Sequence, residues 1–171
     1  MTLVQAFFAY FATVIVTTSI LAVTRRNPVH SVLWMLLLFV HIAGVFVFLD
    51  AEFLAAIQVI IYAGAILVLF LFVLMLLNLR QTELEDRFQR QWPVGLVVAV
   101  ALLSLLAVAL TAIRVIPPVG PYSVAVMHQQ GNLLTVGKVL YSQYLFPFEV
   151  AATILLVAIV GAVVLAARKL E

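Results

Sequence analysis

From Phe53 to Leu79 the chain runs between Glu52 and Arg80 without one charged side chain. Wound as an α-helix at about 1.5 Å per residue, the stretch is about 40 Å long, against about 30 Å of hydrocarbon in a bilayer. A segment this apolar and this long has no soluble use that leaves the rest of the chain in water. It has to cross a membrane, and it has to tilt, protrude or deform to fit.

Four further runs share this character: Leu3 to Val23, Ser31 to Leu49, Val94 to Ile113 and Val150 to Ala167. All are expected to be helices, because an isolated strand in lipid leaves every backbone N–H and C=O without a partner, and barrel strands alternate polar with apolar. Composition agrees, at 67% hydrophobic and 9% charged with a mean hydropathy of +1.28. The expected fold class is therefore all-α integral membrane. It has five transmembrane helices, at about 3–23, 31–49, 51–79, 94–115 and 147–167, in a single domain over 1–171, with an outer loop at 117–146. The first run has no basic residue before it and no small-residue cleavage pattern after it, only Thr24-Arg25-Arg26, so a retained helix is expected rather than a signal peptide.

Basic residues gather on the cytoplasmic side of short loops. Arg25 and Arg26, then Arg80, Arg87 and Arg90, then Arg168 and Lys169 fall on one side of a five-helix chain, while Arg114 and Lys138 fall on the other with Asp50 and Glu52. This puts the N-terminus outside and the C-terminus in the cytoplasm. The Pro117-Pro118-Val119-Gly120-Pro121 run forbids helix. Gly131 to Leu145 interleaves apolar and polar residues, as in a short amphipathic helix at the outer interface.

The chain has no cysteine, which excludes disulfides, thiol catalysis and cysteine-held iron–sulfur or haem centres. No nucleophile–base pair, phosphate loop or metal-ligand cluster is visible in the sequence, so no catalytic or metal site is expected. A net charge of +2, scattered along the chain, does not suggest nucleic acid.

Polar residues within the spans are the functional candidates, since each is costly in lipid. His41, in the second run, is read as a neutral imidazole bonded to a neighbouring helix. Thr13 and Thr17 share a face and are expected to bond a neighbour or their own backbone. Asp50 is expected to cap the third helix, with Glu52 as the acid of its first turn. Pro147 is expected in the first turn of the last helix, with Glu149 behind it at the positive helix end.

In the third run Gln58 and Tyr62 lie four apart on one face with Ala65 beyond them, and Gly64 offers no side chain to hold regular geometry. Together they permit a π-bulge, which shifts the register of everything after it and frees a carbonyl. A phenol beside that carbonyl can donate and accept at once and so pass a proton along water. A tyrosine and a glycine at a helix crossing account for the same pattern.

Three stretches carry a resemblance to a known family. AEFLAAIQVIIYAGAILVLFLFVLMLLN, Ala51 to Asn78, resembles the third helix of the subunit J family of proton-pumping NADH:quinone oxidoreductase, the bacterial relatives of mitochondrial complex I chain 6. Arg26-Asn27-Pro28-Val29-His30 is similar to its first inner loop, and LYSQYLFPFEVAATILLVAIVGAVVLA, starting at Leu140, to its fifth helix.

The resemblance implies a multi-pass subunit of the membrane arm, in the cell inner (cytoplasmic) membrane. Such a subunit belongs to an oxidoreductase complex but has no redox or catalytic centre of its own. NAD, FMN, iron–sulfur clusters and quinone are implied elsewhere in the complex, and the implied partners are other membrane-arm subunits, which supply acidic proton-path residues, together with the lipid bilayer. It further implies a third helix whose π-bulge can form and relax, with Tyr62 beside acidic residues and water of neighbouring subunits and Gly64 as the flexible position. On that basis the third helix is expected to act as a two-state gate for proton transfer, with Tyr62, Gly64, Gln58 and Val68 at the gate and Glu52 as a possible acidic accessory. Glu149 also matches an acidic position of the family, while His41 has no counterpart in the pattern. The alternatives are a static scaffold of the same complex, or an accessory subunit of a multisubunit cation/proton antiporter.

Overall fold

The computed structural model of the chain describes residues 2–77, 92–112 and 122–167. Every element there is helical: α1 (Leu3–Thr24), α2 (Pro28–Phe48), α3 (Glu52–Leu76), α4 (Trp92–Ala112), α5 (Val124–Gln130), α6 (Asn132–Ser142) and α7 (Leu145–Ala167). The five long ones are apolar enough and long enough to cross a membrane. Arg80, Arg87, Arg90, Arg114, Arg168, Lys169 and the 117–121 proline run lie outside the described residues, as do Asn78 and Leu79 of the third run.

Helix starts are set by local polar groups. The Gln5 N–H donates to Thr2 Oγ1 at 3.3 Å while the Thr2 N–H donates to Gln5 Oε1 at 3.0 Å, a reciprocal capping box that opens α1. Asn27 Oδ1 accepts the Val29 N–H at 2.9 Å with Pro28 in the first turn, so α2 begins at Pro28, ahead of the apolar run starting at Ser31. Hydroxyls inside α1 turn back on their own helix: Thr13 donates to the Ala9 C=O and Thr17 to the Thr13 C=O, each at 2.7 Å.

The α2–α3 corner differs from expectation. Asp50 does not cap α3; the cap position is Ala51, which makes no side-chain capping bond. Asp50 instead closes α2 with φ of 57°. Its N–H donates to the Val47 C=O at 3.1 Å and the Ala51 N–H donates to the Phe46 C=O at 2.8 Å, the paired bonds of a Schellman motif. Aspartate is among the few non-glycine residues that tolerate this conformation. Glu52 is in the first turn of α3, as expected. The last helix begins at Leu145, so Pro147 still falls in the first turn, but Glu149 lies beyond it and no acid occupies that turn.

The packed core is a three-helix layer with α2 in the middle, α1 on one side and α3 on the other. Its buried positions are mostly small or β-branched, Thr18, Val32, Ala43, Ala55 and Ala63 with Leu67. Small residues are the usual way for membrane helices to approach closely, where dispersion and short hydrogen bonds replace the hydrophobic effect. Gly44 marks the tightest point: a Cβ there would lie 2.6 Å from Phe11 Cε1. By contrast, no described residue of α4 or α7 is buried, although α7 meets α6 where the Tyr141 and Phe148 ring centroids lie 5.3 Å apart.

Candidate functional site

The centre of α3 is not an α-helix. Gln58–Ile66 is a nine-residue π-helix between α-helical ends. Its far boundary is visible at the Leu67 N–H, which is shared between the Gly64 C=O, three residues back, and the Tyr62 C=O, five residues back, with no bond to the Ala63 C=O four back. Local sequence permits this, since Gly64 carries no Cβ, and one built there would sit 3.3 Å from the Val59 carbonyl oxygen, also five residues back.

Burial records the same event. The positions of α3 that are buried against the core are Ala55, Gln58, Ala63 and Leu67. An α-helix repeats its buried face every three or four residues, and here one step, from Gln58 to Ala63, is five. That extra residue moves Tyr62 out of the stripe. Gln58 is 8% exposed and Tyr62 46% exposed, so the two do not share the buried face that simple α spacing assigns them, and Ala65 is exposed as well. Ala63, which sequence reasoning passed over, occupies the place against α2.

Tyr62 stands at the rim of the core, its ring meeting Phe39 of α2 edge-on with centroids 5.9 Å apart and planes at 70°. Among the described residues its hydroxyl has no hydrogen-bond partner from this chain. Val68 and Leu69, just past the π segment, are 62% and 63% exposed. Glu52 is exposed at the start of α3, six positions ahead of Gln58 in a helix whose intervening face is apolar. The structure thus places Gln58, Tyr62 and Gly64 on one π segment, Val68 just beyond it in regular α-helix, and Glu52 six residues before it.

A second polar contact lies between α1 and α2. His41 Nδ1 is 2.8 Å from the Leu37 C=O and Nε2 is 3.2 Å from the Tyr10 hydroxyl. A carbonyl can only accept, so in the neutral ring Nδ1 carries the proton and Nε2 accepts from Tyr10. His41 is therefore satisfied by its own helix and by a neighbour. Sequence reasoning had no signal for Tyr10, an aromatic residue in an aromatic-rich helix. Among the described residues no group of three histidine, aspartate or glutamate side chains is placed to hold a metal ion.

Five helices of membrane length among the described residues, a small-residue core and a π-broken span carrying a half-exposed tyrosine are the architecture of a multi-pass membrane protein. Comparison with known proteins gives the family. Residues 18–165 match NADH-ubiquinone/plastoquinone oxidoreductase chain 6, and the chain belongs to that family. It is 38% identical over 162 residues to NADH-quinone oxidoreductase subunit J of Rhodobacter capsulatus, covering 94% of this chain and 80% of that protein. It is 36% identical over 173 residues to NADH-ubiquinone oxidoreductase chain 6 of Marchantia polymorpha, covering 95% and 86% of the two. The subunit J protein of Rickettsia felis is 34% identical over 166 residues.

Proposed function

We propose that the chain is a membrane-arm subunit of a proton-translocating NADH:quinone oxidoreductase in the cell inner membrane, and that α3 is the gate coupling quinone reduction to proton movement. Its N-terminus faces outward and its C-terminus the cytoplasm. Electron transfer takes place on other chains, which hold the NAD, flavin, iron–sulfur and quinone sites. Those neighbours also supply the carboxylates of the proton path, since this chain has too few ionisable groups in its spans to form one.

The observation that carries this reading is the five-residue step in the buried stripe of α3. A π turn is one of two registers open to the same sequence, and π turns recur at functional sites. Closing it to α geometry turns one half of the helix by about 100° relative to the other and shifts it by about 1.5 Å. In the π register Tyr62 is held at the rim, beside the surface that other subunits cover. In the α register Tyr62 swings into the stripe and Val68 and Leu69 sweep across the former rim. One register lets water join Tyr62 to neighbouring carboxylates; the other dries the path with aliphatic side chains. A gap of a few kcal/mol between registers is small enough for quinone chemistry to reverse through packed neighbours.

The competing role is a static scaffold, favoured by the edge-on packing of Tyr62 on Phe39. Tyr62→Phe separates the two, because it keeps the ring contact and removes only the hydroxyl. In the assembled complex in sealed vesicles, the gate predicts coupled proton transfer reduced by about a hundredfold or more, the low end of the range for losing a proton-transfer group. A scaffold predicts parental rates. Gly64→Val should likewise slow pumping more than it lowers the amount of assembled complex; normal proton transfer and quinone reduction in that variant would place the gate elsewhere.

A further inference from the structure

We propose that Asn132 is a positioning residue that anchors the Glu52 end of α3, so that any change of register is taken up by the Leu67–Leu76 end. The inference rests on the gate reading above and adds to it which half of the helix moves, and what holds the other half still.

The first turn of an α-helix leaves N–H groups without intrahelical partners, and a side chain at the cap position normally accepts one of them. In α3 that position is Ala51, which has nothing to offer. Asn132, the first residue of α6, supplies the missing group from 79 residues away: its Oδ1 accepts the Phe53 N–H at 3.3 Å. The same amide turns its Nδ2 to the Asp50 C=O at 3.1 Å. One planar group therefore holds a backbone acceptor before α3 and a backbone donor inside its first turn, which fixes the direction in which the helix leaves the corner. Leucine, alanine or serine at 132 cannot make both bonds.

Asn132 is itself held in place. Gly131 before it has φ of +87°, which lets α5 and α6 meet at a single residue. The buried Thr135 donates from Oγ1 to the Gly131 C=O at 2.9 Å, and Met127 Sδ lies 3.9 Å from Asn132 Nδ2. His128 Nε2 stands 3.7 Å from Asp50 Oδ1, a second link across the same corner, though both side chains are largely exposed and the pair contributes little by itself. The Schellman bonds of Asp50 and Ala51 tie the corner to α2 as well.

Nothing comparable holds the other end among the described residues. Beyond Leu67 no residue of α3 is buried: Leu71 and Leu74 are half-buried, while Phe72 is 58% and Met75 71% exposed. With one end bonded to both α2 and α6 and the other packed on α2 with no described residue buried beyond Leu67, rotation is cheaper at the Leu76 end.

The test uses the assembled complex. Because this chain has no cysteine, Leu54→Cys and Phe72→Cys report the two ends separately, as alkylation rates read by mass spectrometry on this chain, with and without NADH-driven turnover. In the otherwise parental complex the anchor predicts a turnover-dependent change of at least about twofold at Phe72→Cys and none at Leu54→Cys. Adding Asn132→Leu should bring a response of similar size to Leu54→Cys, shrink the one at Phe72→Cys, and lower protons moved per electron at least twofold while quinone reduction continues. Should Asn132→Leu fail to assemble, Asn132→Asp, which keeps the acceptor and loses the donor, is read in the same way with the same expected direction. A response at Phe72→Cys that neither Asn132 variant alters overturns the anchor alone, as does a response at Leu54→Cys in the parental complex. No response at either end in the parental complex overturns the gate and the anchor together.

Discussion

Replacing Ala63 by leucine should drive α3 out of its π register. Ala63 is 7% exposed and sits against α2 only because the buried stripe steps by five residues after Gln58. If the segment closes to α geometry with its Glu52 end fixed, residue 62 takes that place, residue 66 takes the place of Leu67, and residue 63 turns by about 100° toward the rim. A leucine side chain at 63 is thus crowded in one register and accommodated in the other. Overpacking of a close-packed site costs typically about 1–3 kcal/mol, which at 298 K is roughly a 5- to 150-fold shift in the ratio of registers. That is comparable to the gap a functional gate can have, so the shift is enough to reverse the majority state.

The assay is the structure of the assembled variant together with its proton-to-electron ratio. In the variant the Leu67 N–H should bond the backbone C=O of position 63, four residues back, in most particles, and pumping should fall while the complex remains assembled. Ala56→Leu makes the same change at an exposed position outside the π segment and should leave the register alone. An assembled Ala63→Leu complex that keeps the Leu67 N–H on the Tyr62 C=O and pumps at the parental ratio would refute the register argument.

Two further outcomes follow from contacts elsewhere. The Tyr10–His41 bond between α1 and α2 should show a coupling of about 0.6 kcal/mol, and no more than about 1.7, in a double-mutant cycle of Tyr10→Phe and His41→Leu on thermal stability, the range found for hydrogen bonds between membrane helices; a coupling of zero would mean that the pair is not formed in the complex. Gly131→Ala should destabilise the α5–α6 corner by about 1–3 kcal/mol although a Cβ there meets no atom within 4 Å, because φ of 87° with ψ of 139° is an extended positive-φ backbone that residues other than glycine disfavour. Gly131→Asn should cost about as much, because asparagine's tolerance of positive φ is confined to ψ of about +47°, and hydrogen exchange across the corner measures both.

Much of this architecture is written in hydropathy. The five spans follow from charge-free runs of membrane length, and a third span too long for its bilayer with Gly64 near its middle permits the departure from α geometry without requiring it, since tilt or protrusion takes up the same excess length. Polar groups that bond locally were also legible: the hydroxyls of Thr13 and Thr17 have a carbonyl four residues back whatever the fold, and Glu52 needs only a helix start. What periodicity could not supply is register. The α spacing that groups Gln58, Tyr62 and Ala65 on one face fails because the π segment inserts a residue, and only packing against α2 shows that Ala63 is the inward one. The α2–α3 corner was misassigned for a related reason. Aspartate before a helix usually caps it, but the same residue tolerates left-handed backbone, and three-dimensional proximity gives the capping role to Asn132, far along the chain. A sequence window centred on either residue does not contain the other.

The account turns on whether α3 has two registers, and one donor reports them. The measurement is the acceptor of the Leu67 N–H in structures of the whole assembly, resolved with all neighbours present, at rest and during turnover. Two registers predict the Tyr62 C=O in one population and the Ala63 C=O in another, with the Tyr62 hydroxyl meeting water or a neighbouring carboxylate in one of them alone. The same acceptor in every population, with Tyr62 walled off from solvent and acid throughout, would contradict the gate and leave α3 as a fixed, π-distorted strut.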